Sequence, residues 1–147
     1  GWIEPLALVL HFCNTDEDRN KWVVYDCVMN IAEGQIVEQK SFKANTYKML
    51  LAGFQWRSLE KGHSLKLIFK FYMEGNLVYT SVQDAVTNEP DSKDIFQQNF
   101  EVSSSMRLEG PNGVTSPFPA GRYEVELYLK TEELDEHFVM RRTLDVR

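Results

Sequence analysis

Glu109-Gly110-Pro111-Asn112-Gly113-Val114-Thr115-Ser116-Pro117-Phe118-Pro119-Ala120-Gly121 runs straight into Arg122-Tyr123-Glu124-Val125-Glu126-Leu127-Tyr128-Leu129. The first part is too rich in Gly and Pro to hold a helix. The second alternates charged and apolar residues with period two. A loop feeding an antiparallel strand with one dry face and one wet face accounts for both. That pairing decides the fold class and leaves the function open.

Reading outward, the same period recurs along the chain. Leu6 to Cys13 sets Leu6, Leu8, Leu10 and Phe12 against Ala7, Val9, His11 and Cys13. Both sets are largely apolar, which predicts a central strand covered on both sides. Trp22 to Asn30 reads as a second strand, and Gly34 turns the chain into a third at Gln35 to Phe42. Between Asn45 and Phe54 the apolar residues Tyr47, Leu50, Leu51 and Phe54 fit helical spacing, with Asn45 or Thr46 as a cap. One or two helical turns are expected there.

After the turn Glu60-Lys61-Gly62, a strong strand runs from His63 to Met73, with Leu65, Leu67, Phe69, Phe71 and Met73 on one face. Glu74-Gly75-Asn76 closes a hairpin into Leu77 to Val82. A polar excursion from Asn88 to Gln98 contains Pro90, with one helical turn expected at Asp94 to Gln98. Phe100 to Leu108 is the next strand, with Ser103, Ser104 and Ser105 read as edge-strand surface. Arg122 to Lys130 and His137 to Val146 form the last hairpin across the charged turn Thr131 to Glu136. The expectation is an all-β, antiparallel β-sandwich of about seven to nine strands, with one short helical segment near 45–54; a closed barrel is the structural rival.

The 147 residues suit one domain with a real core, and no repeat or linker divides them. No apolar run approaches the roughly 20 residues that a membrane-spanning helix needs. The formal charge of −6 and the lack of a basic stripe argue against nucleic-acid binding. Gly1-Trp2-Ile3-Glu4 has neither the basic start nor the cleavage site of a secretion signal, and a leading Gly without Met reads as an expression remnant or a processed terminus, so the compartment stays open. No Asn-x-Ser/Thr acceptor occurs.

Two cysteines are too few for a disulfide-framed domain. If the first two strands form a hairpin, Cys13 faces Trp22 and Cys27 faces Leu8. An offset of five residues is about 17 Å along a strand, beyond the roughly 7 Å a disulfide tolerates between Cα atoms. Two free thiols follow in that register. A bond remains open if the strands lie in facing sheets.

Catalytic and metal signatures are sparse. His11, His63 and His137 lack zinc-ligand spacing and can converge only through the fold. The loop Asn14 to Asn20 clusters oxygen ligands, with Asn14, Asp16 and Asp18 as weak candidates for a hard cation, but it fails the EF-hand pattern at its sixth and twelfth positions. There is no Gly-x-Ser-x-Gly elbow and no Gly-rich phosphate loop. No cofactor is implied. Aromatics beside cationic or irregular segments are the residues suited to a protein contact. Trp2, Trp56, Arg57, Asp91 and Phe118 are therefore the partner-binding candidates, and the loops Asn14 to Asn20, Asn88 to Asp94 and Gly110 to Pro119 carry the longest polar surfaces.

The phrase Pro119-Ala120-Gly121-Arg122-Tyr123-Glu124-Val125-Glu126-Leu127 resembles the lead-in to the penultimate strand of immunoglobulin-like and fibronectin-type sandwiches, where a Pro/Gly corner precedes an aromatic at the first strand position. The order of Glu60-Lys61-Gly62, the strand Leu65 to Met73, the hairpin to Val78-Tyr79, Gly121-Arg122-Tyr123 and the acidic turn before His137-Phe138 is similar to the lipid-binding sandwich of Rho GDP-dissociation inhibitors. The first resemblance implies fold alone. The second implies an apolar ligand held between sheets.

These readings lead to a non-catalytic module that presents loops or a sheet edge to a protein partner. The alternative is a carrier of an apolar or lipid ligand between the two sheets, an idea also motivated by the doubly apolar strands and surplus aromatics. An enzyme is the second alternative, and it requires a histidine to meet carboxylates in a concave site.

Overall fold

The alternation after Gly121 becomes a strand in the computed structural model, which describes residues 1–13, 41–87 and 102–147, without the side chains of His11 and Cys13. In Gly121–Lys130, Tyr123, Val125 and Leu127 are buried, while Glu124 and Tyr128 lie on the opposite, wetter face. Burying one face against a second layer is what such a pattern requires. Ten strands are described: β1 (Ile3–Cys13), β2 (Ser41–Phe42), β3 (Met49–Ser58), β4 (Ser64–Met73), β5 (Asn76–Val86), β6 (Val102–Met106), β7 (Leu108–Glu109), β8 (Thr115–Ser116), β9 (Gly121–Lys130) and β10 (His137–Val146). A five-stranded sheet has the order β2-β10-β9-β4-β5, a three-stranded sheet the order β1-β3-β6, and β7 pairs with β8. Every pairing is antiparallel except the short one of β2 with β10.

The two larger sheets bury one shared core. Leu8, Leu10 and Phe12 of β1 and Leu50, Ala52, Phe54 and Trp56 of β3 meet Leu67, Phe69 and Phe71 of β4 and Tyr123, Val125 and Leu127 of β9. Phe12 sits in an aromatic cluster, with ring centroids 4.8 Å from Phe42, 5.6 Å from Tyr47, 5.3 Å from Phe118 and 6.3 Å from Tyr123. At the margins of the sandwich β1 comes alongside β10, and β6 comes alongside β5 without joining its ladder.

The helical segment expected near 45–54 is instead strand β3, preceded by a turn at Asn45, whose φ is +57°. Its residues are buried on both faces, so the apolar positions fill every spacing, and a helical period can be picked out of a doubly buried strand. The helical structure among the described residues is a single 3-10 turn at Pro111–Gly113. β1 is covered on both faces as expected, but among the described residues it pairs on one side only, with β3 as the central strand. Ser104 is not surface: it lies in register with Ala52 on the core side of β6, and among the described residues its Oγ has no hydrogen-bond partner. The expected strands from Trp22 to Asn30 and from Gln35 to Lys40, the hairpin register of Cys13 and Cys27, and the turn at Asp94 to Gln98 lie outside the described residues.

The hairpin between β4 and β5 has two central residues with positive φ, Glu74 at +49° and Gly75 at +78°, as a two-residue mirror-image turn demands. Glu in that conformation costs about 1 kcal/mol or more. Its carboxylate offsets this by accepting the Arg122 N–H at 2.6 Å. Gly121 leaves room for that contact, because a Cβ there would lie 2.6 Å from Glu74 Oε1.

Tyr123 is buried, and its hydroxyl donates to the Pro119 carbonyl at 2.6 Å, tying the start of β9 to the loop before it. Tyr123→Phe leaves that carbonyl short of its donor. The expected loss is about 1–3 kcal/mol of stability by urea denaturation. A change below about 0.5 kcal/mol, the scale of ordinary surface substitutions, would contradict a structural role for the bond.

Candidate functional site

The inward set of β4 leaves Lys66, Ile68, Lys70 and Tyr72 on the outer face of the five-stranded sheet. Register then decides their neighbours. Ile68 stands opposite Tyr128 of β9 and opposite Val82 of β5, and Tyr128 stands opposite Phe138 of β10. Phe138, Tyr128, Ile68 and Val82 therefore form one row across four strands, with the Tyr128 and Phe138 rings edge-on at 5.8 Å. Charged rows flank it. On one side Lys66 pairs with Asp84 at 2.8 Å. On the other, Lys70, Glu126 and Arg141 are cross-strand neighbours.

Glu126 is the most buried charge on this face. Its carboxylate accepts from Arg141 Nη2 at 2.6 Å, from the Tyr128 hydroxyl at 3.0 Å and from the Tyr72 hydroxyl. Burial works to raise its pKa, but the donated hydrogen bonds and the Arg141 charge outweigh it and hold the carboxyl below its ordinary range. The same bond to Glu126, with burial second, pushes Tyr72 up to about 12. Lys70 pairs with Glu136 and lies 4.2 Å from the Tyr128 ring centroid. These contacts rigidify the face and leave the apolar row between them.

The row ends at β5, which pairs with β4 alone among the described residues. This 11-residue strand exposes Leu77, Val78, Tyr79, Val82 and Val86, with Val82 at 53 % and Val86 at 56 % of full exposure. Protected sheet edges carry Lys, Pro or short strands. Asn76–Val86 has neither Lys nor Pro. Its single charge, Asp84, is already paired with Lys66, and its one irregularity is a bulge near Val78. A long edge with a row of apolar side chains can accept another strand through main-chain hydrogen bonds and apolar cross-strand contacts.

A second feature lies at one end of the sandwich. A cleft of about 480 Å³ is walled by Trp2, Ile3, Pro5, Leu65, Leu129 and Phe138, with Glu133 and His137 among its polar residues. The Trp2 ring stacks on His63 at 3.9 Å with an interplanar angle of 6°, and His63 Nε2 is 3.7 Å from Glu60. Among the described residues no three His, Cys, Asp or Glu side chains converge as metal ligands. No described helix is long and apolar enough to cross a membrane.

The expected contact residues separate. Trp2 is half-buried at the cleft. Arg57 is exposed and paired with Glu4 at 3.5 Å. Trp56, expected at the surface, is a core residue at 5 % exposure, and its Nε1 donates to Ser58 Oγ at 3.3 Å. Phe118, expected on a loop surface, is 1 % exposed within the Phe12 cluster. Asp91, Asn14, Asp16 and Asp18, with their loops, lie outside the described residues. Val82 and the row behind it were not singled out from sequence. The signal present was a run rich in β-branched residues after a two-residue turn, free of Lys and Pro. No protein-family model matches the chain, and no curated protein matches it in sequence.

Proposed function

We propose that this domain is a non-catalytic binding module of immunoglobulin-like build that offers the β5 edge to an extended segment of a protein partner. The observation that carries the reading is the β5 edge, unpaired among the described residues, where Val82 ends the apolar row and Val86 is likewise more than half exposed. The immunoglobulin-like assignment is supported by the two facing sheets and by the Tyr123 hydroxyl reaching back to Pro119, a corner typical of such sandwiches. Edge pairing takes affinity from the main chain and specificity from alternate side chains. The partner segment is therefore apolar on alternate positions, so that one face continues the row.

Residue-resolved NMR with a panel of extended peptides of that pattern tests this. Shift changes are expected along residues 77–86, and Val82→Lys is expected to weaken binding at least about tenfold by burying a charge in an apolar row. Binding that bypasses β5, or that ignores Val82→Lys, contradicts the reading.

The end cleft supports a second reading, a site for an apolar ligand. Its aliphatic and aromatic walls and volume of about 480 Å³ suit one small ligand. It lies at the end of the sandwich, whereas the space between the sheets is occupied by the core cluster. Titration of an alkyl ligand with Trp2 fluorescence as readout, repeated with Val139→Trp to fill the cleft, tests it. Equal binding by both proteins contradicts a ligand seated there.

A further inference from the structure

We infer that the strand received by β5 is β5 of a second copy of this chain, paired antiparallel about a two-fold axis at Val82. This rests on the β5-edge reading above and names its partner. A two-fold normal to the sheet sets residues whose numbers have a constant sum opposite each other, so each candidate register can be tested against the sequence. With Val82 opposite Val82 of the second copy, Thr80 faces Asp84, Ser81 faces Gln83, Tyr79 faces Ala85 and Val78 faces Val86. Polar residues meet polar ones, apolar residues meet apolar ones, and Asp84 gains a hydroxyl donor.

The neighbouring registers are worse. Centring on Ser81 puts Val78 opposite Asp84. Centring on Gln83 puts Val82 opposite Asp84. Each buries an exposed valine against a carboxylate that is already engaged by Lys66.

The Val82 register also extends what lies behind the edge. Phe138, Tyr128, Ile68 and Val82 of one copy run into Val82, Ile68, Tyr128 and Phe138 of the other, across a joined outer face. The flanking charges stay outside this row, and no like charges oppose each other across β5. Two sheets of order β2-β10-β9-β4-β5 then become one continuous ten-stranded sheet, which covers at once the two β5 edges left unpaired among the described residues.

Sedimentation analysis of the whole chain over rising concentration, with Val82→Lys, Val82→Glu and their equimolar mixture, tests the pairing. In this register residue 82 meets its own symmetry mate. The wild-type chain is expected to double in mass as concentration rises. Each single variant is expected to associate at least about tenfold more weakly, because like charges meet directly. The mixture is expected to recover association as a mixed dimer. Val82 is half exposed, so these variants keep the core, and unchanged circular dichroism confirms that for each.

Wild-type chain that stays monomeric throughout overturns the inference, as does a mixture that associates no better than either variant alone. A monomeric chain that still binds extended peptides along β5 overturns the second copy as partner and leaves the edge reading standing. A chain that neither self-associates nor binds such peptides removes both.

Discussion

Phe12→Ala is expected to remove about 3–5 kcal/mol of stability, a large share of the 5–15 kcal/mol that holds a typical domain together. Phe12 is the hub of the aromatic cluster: it touches Phe42, Tyr47, Phe118 and Tyr123, which come from two distant stretches of the chain. Truncation loses the transfer energy of the ring and leaves a cavity among side chains that are themselves fixed by backbone. Phe118 cannot move in to fill it, because its N–H donates to the Tyr47 carbonyl and its carbonyl accepts from Asn45 N, both at 2.9 Å. A shift of the urea midpoint with unchanged slope reads the loss. The double variant with Phe118→Ala should fall short of the sum by about 0.5–1.5 kcal/mol, the coupling of a packed aromatic pair. A single-variant loss under about 1 kcal/mol would mean that the cluster is loosely packed and that the two layers are not clamped at this end.

Glu126→Ala should cost about 1–3 kcal/mol at neutral pH, because it strands the Tyr72 and Tyr128 hydroxyls on a covered part of the outer face. The contribution of Arg141 is discounted for its exposure to water. The pH dependence identifies the cause. The folded carboxyl titrates below its unfolded value, so its contribution is fully present above the unfolded pKa of about 4.3 and is lost as pH falls through the folded one. The gap between wild type and Glu126→Ala should therefore narrow in acid. An equal gap at neutral and acid pH would contradict the charged network.

The alkaline side has the opposite sign. Tyr72 and Tyr123 are both pushed up to about 12, the first mainly by its bond to Glu126, the second by burial. Their contribution is present below about pH 10 and is lost as pH rises towards 12. Glu126→Gln should bring Tyr72 down and leave Tyr123 where it is, which an ultraviolet titration resolves.

The strand most legible from sequence was β9, which has one wet face. In β9, Glu124 and Glu126 interrupt Tyr123, Val125 and Leu127, so the period is visible, and the last strand begins and ends at His137 and Val146 as expected. β3 was not legible because both its faces are buried. Trp56 was misplaced for the same reason. Gln55 beside it is itself buried. Phe118 was misplaced because its burial depends on backbone bonds to residues some seventy positions away, which no local pattern encodes. The hairpin that makes β5 was readable from Glu74-Gly75-Asn76, but its place at the end of a row was not, since strand order is set by nonlocal pairing. The cleft likewise joins residues 1–5 to 129–139, and only the fold brings them together.

The most direct measurement of the central claim is residue-resolved amide hydrogen exchange along β4 and β5, in dilute and in concentrated solution. In dilute solution, alternate amides of β5 are expected to exchange rapidly, because they point away from β4, while the β4 amides, paired on both sides, stay protected. In concentrated solution the fast β5 amides around Val82 should become protected. Protection of every β5 amide at the lowest concentration would mean that the edge is already covered within the chain, and would contradict the account.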